Sequence, residues 1–287
     1  MYVIWGSTYL GMRVAIETMP PLTMLGTRFI VAGTGMLAWA RWRDGELPSK
    51  RAWMASALSG TLMLACGNGS VVWAEQHLPS GIVAFVVAAV PCWMVLLEWL
   101  RPGGSRPTRA VLAGLAIGAT GLALLVGEIA PVDGHGMAAA SVLILLGGSL
   151  CFAIGSLHSR QSPHQGHGIA GAATQMLSGG VALLVMATAR HEGAHFDVAH
   201  VSSRSLFALA YLVVFGSVIG FTAYLYMLRH ATTAKASTYA YVNPVVALFL
   251  GWLIGGEPVT ARTLGAAGVI AAGVVTITLA REAVASH

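Results

Sequence analysis

Apolar stretches long enough to cross a bilayer follow one another along almost the whole chain, separated by short polar segments. They lie at about 1–17, 21–40, 52–74, 80–100, 109–127, 137–158, 169–189, 206–228, 236–255 and 262–280. A helix crosses the hydrocarbon core with about 20 apolar residues. Inside lipid the backbone must satisfy its own hydrogen bonds, which leaves helices or closed barrels. Unbroken runs of this length, without strict alternation, choose helices. The expected fold is all-α and integral to the membrane, with ten transmembrane helices and no soluble domain. Composition agrees: 9% of the 287 residues are charged, against about 25% in soluble domains.

The runs are not independent of one another. AAVPCWMVLLEWLRPGGSRPT (88–108) and YVNPVVALFLGWLIGGEPVT (241–260) share a proline, a tryptophan-bearing apolar run, a Gly-Gly and a threonine. Pro91 and Pro244 are 153 residues apart, as are His77/His230, Leu97/Leu250 and Trp99/Trp252; Thr108/Thr260, Leu112/Leu264 and Gly121/Gly273 match at 152. Gly6-Ser7 echoes Gly148-Ser149. Internal repeats of this kind define the architecture: two five-helix units, 1–127 and 137–280. Five crossings are an odd number, so the second unit enters from the opposite side and the repeats are inverted. Inverted repeats characterise transporters that hold substrate near the midplane and alternate by rocking. The paired proline helices are then the interruptible elements of the two units.

Lys and Arg set the orientation. With a cytoplasmic N-terminus the inside segments hold Arg41, Arg43, Lys50, Arg51, Arg101, Arg106, Arg109, Arg160, Arg229, Lys235 and Arg281, eleven in all, while the outside loops hold Arg190, Arg204 and Arg262. Both termini are therefore expected in the cytoplasm. The same topology accounts for the net charge of +5, so no nucleic-acid partner is inferred. Cys66, Cys92 and Cys151 lie in apolar runs without metal-ligand spacing, and no disulfide is expected. The chain starts without a cleavable signal-peptide pattern, and its first run, ending before Pro20-Pro21, is short for a span. That shortness reads as a helix whose natural start lies upstream of Met1.

Polar residues inside spans face neighbours or a watery cavity, because exposing them to lipid is costly. Thr61, Asn68 and Glu75 recur every seven residues in the third span, and Lys235, Tyr239 and Asn243 every four in the ninth. Ser149 and Ser156 align in the sixth; Trp5 and Thr8 lie within a turn in the first. These stripes are expected to point inward and to line a substrate site, with Trp73, Tyr224 and Tyr241 available to stack on a flat cargo. Interhelical hydrogen bonding is the alternative for each residue taken singly. The i,i+4 glycines Gly114/Gly118, Gly216/Gly220 and Gly251/Gly255 are read as helix-packing positions. Pro91 and Pro244 each free a carbonyl one turn back, for a ligand, a hinge or a plain kink.

WGSTYLG near the start, PPLTMLGTRFIVAG in the second span, GNGSVVWAEQHLPSGIVAFVVAAVP, and YAYVNPVVALFLGWLIGGEPVT near the end together resemble the EamA-type members of the drug/metabolite transporter superfamily. The resemblance runs over nearly the whole chain. It implies an inner-membrane exporter of ten helices with a central cavity bounded by both halves, handling small metabolites, amino acids or drugs. Two departures stand out: family chains carry more residues before WGST, and the first-half Gly-Glu turn is Gly104-Ser105 here. Arg28 matches an arginine of the family, and either counters a substrate carboxylate or pairs with a buried acid. Glu257 matches the second-half glutamate and is expected to organise its turn and cap the tenth helix.

A rival reading comes from HEGAH (191–195), formally an H-E-x-x-H match, which on a helix would hold zinc beside a general base. It contains Gly193, lies in a polar connector, and has only His200 or Asp197 as a third ligand, so a membrane zinc metalloprotease is the weaker alternative. Without a Walker motif the chain does not itself hydrolyse ATP. No catalytic residue, metal or cofactor is expected. The expected partners are a small-molecule substrate and membrane lipid. Protons are a further candidate through Glu75 and His77 at one mouth and His230 at the other.

Overall fold

The computed structural model describes residues 2–45, 47–102, 106–129, 137–162, 168–194, 196–230 and 239–285. Ten helical rods run through these residues: α1 (Tyr2–Ala15), α2 (Pro21–Asp44), α3 (Lys50–Ala74), α4 (Ser80–Leu100), α5 (Arg109–Ile129), α6 (Met137–Gln161), α7 (Gly168–Ala189), α8 (Ser203–His230), α9 (Tyr239–Leu253) and α10 (Ala261–Ala285). Six of them, α2, α3, α4, α6, α7 and α8, are long and apolar enough to cross a membrane by length and composition. Large apolar side chains such as Val31, Leu143, Val185, Phe207, Phe249 and Leu279 lie on the outside, where a bilayer covers them.

Helix neighbours obey a two-fold rule. α5 packs along α10, α2 along α7, and α4 on α9; α3 meets α6 and α7 while α8 meets α1 and α2; α1 lies on α9 while α6 lies on α4. Exchanging each helix for its counterpart five places on turns each of these contacts into another of them. Local geometry repeats as well. The His77 ring lies 4.7 Å from that of Trp73 and its Nδ1 is 3.2 Å from the Trp73 carbonyl oxygen; His230 does the same with Tyr226, at 4.2 and 2.9 Å. These repeat partners are thus helix C-terminal caps.

Three irregularities interrupt the rods. Thr61–Asn68 in α3 and Leu212–Phe221 in α8 are π-helical, and their last residues are themselves repeat partners, 153 positions apart. α4 breaks at Ala88-Ala89 between the segments Ser80–Val87 and Val90–Leu100. Here the structure corrects the expectation of equivalent proline hinges. Pro91 stands in the first turn of the second α4 segment, where a missing N–H costs nothing, whereas Pro244 lies inside α9.

A long, close crossing joins α5 and α10. A methyl group on Gly273 would meet the Gly118 nitrogen at 2.5 Å and the Gly114 oxygen at 2.7 Å. Both are backbone atoms that no rotamer change relieves. In lipid such contact, rather than a hydrophobic drive, holds helices together. Gly268 on the same helix has open space around its Cα. Gly273→Ala should therefore destabilise the protein by about 1–3 kcal/mol and Gly268→Ala should be neutral or mildly stabilising. Thermal midpoints in detergent, followed by the monomer peak in size exclusion, check the contrast; equal midpoints would contradict it.

Candidate functional site

At mid-depth, where α1, α2, α3, α4, α6, α8 and α9 converge, they enclose a cavity of about 690 Å³, its open mouth included. Its walls are mostly apolar, and its polar lining is Thr8, Arg28, Asn68, Ser149 and Asn243, with Trp5 and Tyr9 contributing aromatic rings. Two repeat pairs are in its lining: Asn68 and Phe221, and Val90 and Asn243. Each pair sets an amide against an apolar group. The scaffold is two-fold in shape while its chemistry is one-sided.

The irregular backbone builds this space. Asn68 ends the π segment of α3 and its amide donates to the Met63 carbonyl at 3.2 Å. In α8 the π segment carries Gly216 and Gly220. A methyl on Gly216 would lie 2.5 Å from Arg28 Nη2, and one on Gly220 2.6 Å from Trp5 Nε1. These glycines, read from the sequence as helix-packing positions, instead make room for two side chains of the site. Trp5 Nε1 donates to the Gly216 carbonyl at 3.4 Å, and the break in α4 places Val87 and Val90 on the wall. π-bulges recur at functional sites because they re-aim side chains within a helix.

Of the residues expected to bind substrate, Trp5, Thr8, Asn68, Ser149 and Asn243 line the cavity together. Thr8 donates to the Trp5 carbonyl at 2.6 Å, and Ser149 accepts from Trp93 Nε1 at 3.0 Å. Ser156 and Tyr224 form a layer behind the wall: their hydroxyls are 2.8 Å apart, and the Tyr224 ring lies 5.0 Å from Trp5 and 5.5 Å from Phe152. Trp73 packs at the end of α3 beside His77. Glu75 is buried just past α3, away from the lining, with neither carboxylate oxygen hydrogen-bonded among the described residues. Glu75 lies two turns beyond Asn68 through regular α-helix, about 10 Å further along the axis, so a shared face does not bring it to the cavity. The side chains of Tyr239 and Tyr241 lie outside the described residues. Sequence reasoning missed Tyr9, Phe29, Phe152 and Phe221 on the wall, since an apolar residue in an apolar span carries no signal of its own.

Arg28 lines the cavity and is buried. Its Nε donates to Ser217 Oγ at 2.8 Å, its guanidinium sits 5.0 Å from the Phe29 ring centre, and among the described residues no carboxylate comes within ion-pair distance. The pairing with a buried acid that the sequence left open is absent among the described residues.

One end of the bundle is tied shut across the two halves. Glu257 caps α4, not α10 as expected: Oε1 accepts from the Ser80 N–H at 2.9 Å and Oε2 from Gly81 at 3.4 Å. Gly256, at φ 63°, turns the chain so that the carboxylate reaches back, and Arg13 Nε lies 3.4 Å from it. α10 is capped by Thr260 Oγ1, which accepts from the Thr263 N–H at 3.0 Å. At the same end Glu192 caps α2, accepting from the N–H groups of Leu22 and Thr23 at 2.9 and 3.1 Å, while Thr18 bonds Ser205 at 2.8 Å. Glu192 is the glutamate of HEGAH, held as a helix cap. Asp197 and His200 bond each other at 2.9 Å, and His195 lies outside the described residues.

Removing the Glu257 carboxylate leaves two buried N–H groups of α4 without an acceptor. Glu257→Ala should cost about 1–3 kcal/mol and Glu257→Gln, which keeps an acceptor but loses the charge facing Arg13, distinctly less. Thermal midpoints ordered wild type, Gln, Ala are expected; an alanine variant as stable as wild type would show that the cap does not hold this end.

Comparison with known proteins places the architecture. The profile of the EamA-like transporter family matches residues 1–127 and again 139–279. The inner membrane transporter YedA of Escherichia coli K12 is 39% identical over 282 residues, covering 98% of this chain and 89% of YedA. A probable terminal-alkyne amino-acid exporter of Streptantibioticus cattleyicolor is 28% identical over 99% of this chain and 94% of its own length. A solved crystal structure with 18% sequence identity shares the fold at a TM-score of 0.70, over 97% of this chain and 94% of that one. The chain belongs to the EamA-like transporter family, and it is an inner-membrane, multi-pass transporter rather than an enzyme.

Proposed function

We propose that the protein exports small organic molecules from the cytoplasm by alternating access, with the repeats 1–127 and 137–280 rocking about the central cavity. The observation that carries this reading is the pairing of a mid-depth cavity lined from both halves with one end fastened by bonds that cross between the halves. A fixed site between repeats whose ends close in turn is the physical requirement of such transport. The excess of Lys and Arg at the opposite end, eleven against three, favours both termini in the cytoplasm. The fastened end then faces away from the cytoplasm, and this conformation is the one shut on the outside. The amino-acid exporter among the relatives supports amino acids within the range of cargo; metabolites and drugs of similar size fit the same apolar walls.

Transport requires the fastened end to open. Thr18 and Ser205 hydroxyls are 2.8 Å apart across it, close enough for engineered cysteines at both positions to bridge. In a background lacking Cys66, Cys92 and Cys151, oxidation of the Thr18→Cys/Ser205→Cys pair should reduce export in everted vesicles to background, and reductant should restore it. Undiminished export by fully cross-linked protein would overturn the rocking reading.

A further inference from the structure

Arg28 is the one charged side chain on the cavity wall among the described residues. It is 4% exposed, spends its Nε on Ser217, and leaves Nη1 buried without a hydrogen-bond partner. A buried guanidinium with an unpaired nitrogen is expensive to keep, and a chain that needed only packing here would hold an apolar residue. Glu75 and Arg13 do not settle the account. Glu75 stays beyond ion-pair distance of Arg28, and Arg13 is engaged with Glu257 and the Leu78 carbonyl.

The surroundings define what completes the guanidinium. Gly216 makes room for the guanidinium at the wall, since a methyl group there would meet Nη2 at 2.5 Å. The hydroxyls of Thr8 and Ser149 are already bonded within the protein, as is the Asn68 amide nitrogen. No carboxylate lines the cavity to receive a cation, whereas Trp5, Phe29 and Phe152 offer aromatic walls to an apolar body. A guanidinium matches a carboxylate with two parallel hydrogen bonds, a geometry that an ammonium group cannot copy.

We propose that Arg28 is the anchor for the cargo, which is a small organic acid: one carboxylate held at the guanidinium, and an apolar body laid against the aromatic wall. This rests on the transport reading and deepens it. Ser217 acts as a positioning residue that orients the guanidinium from behind.

A single apolar skeleton with four head groups tests the assignment on the purified, unmodified protein by calorimetric titration: phenylpropanoate, phenylalanine, phenylalaninamide and phenylpropylamine. The two carboxylates should bind and the two cations should not, and comparing the first two separates a plain acid from an amino acid as source of the carboxylate. Arg28→Lys, which keeps the charge, should weaken carboxylate binding roughly 10-fold, and Arg28→Gln roughly 100-fold, with both variants checked for a monomeric, helical state. The head-group series stands even where a variant fails to fold. Equal binding of the amide or the amine, a folded Arg28→Gln variant that binds acids as wild type does, or no binding by any of the four overturns the assignment. Those failures differ from failure of the transport reading, which appears as wild-type vesicles that move no organic molecule at all.

Discussion

A helix end that is buried in a membrane protein finds no water to meet its free N–H groups, so another part of the chain must supply the acceptor. Glu192 and Glu257 are those acceptors for α2 and α4. Each comes from the second half of the chain and serves a helix of the first. Two structural needs, a satisfied helix terminus and a closed end of the bundle, are thereby met by the same carboxylates. The helix positions that frame the cavity depend on these ties, because α2 contributes Arg28 and α4 contributes Val87 and Val90.

The cavity arises from departures from ideal helix. Straight α-helices packed at glycine crossings, as α5 and α10 are, leave no room for cargo. The two π segments and the break in α4 open space at mid-depth and turn Asn68, Gly216 and Val90 to face it. Repetition of the π segment at equivalent positions in both halves carries the irregularity around the two-fold. The residues presented there differ, so that one half supplies Asn68 where the other supplies Phe221. A symmetric frame with unsymmetric lining is suited to an unsymmetric molecule in one orientation.

Much of this was legible in the sequence, for reasons that particular residues make plain. Span edges such as Pro21, Ser80 and Leu100 follow from length and hydropathy, and the repeat was visible in Pro91/Pro244 and His77/His230. Trp5, Thr8, Asn68, Ser149 and Asn243 declared themselves as polar or aromatic groups inside spans. The cap made by Glu257 did not, since its partner Ser80 is 177 residues away and the local threonine, Thr260, serves the neighbouring helix instead. Glu75 was placed on the lining by a face it shares with Asn68, yet it lies two turns further along the helix, past the residues of α3 that line the cavity. Gly216 and Gly220 carry the spacing of packing glycines, and only the positions of Arg28 and Trp5 reveal what they accommodate.

The repeat is faithful in shape and unequal in charge: the counterpart of Glu257, at the 152-residue offset, is Ser105. The Glu257 carboxylate meets two N–H groups and a guanidinium and so holds its end by charged contacts. On the alternating-access reading, the empty carrier rests with the Glu257 end shut. Apparent affinity scales with the fraction of molecules already competent to bind, so cargo arriving from the far side meets a waiting site while cargo at the Glu257 side must wait for a rare opening. Such a protein does not change where the cargo finally distributes. On that reading it is a kinetic rectifier, half-saturating at low concentration on one face and at high concentration on the other.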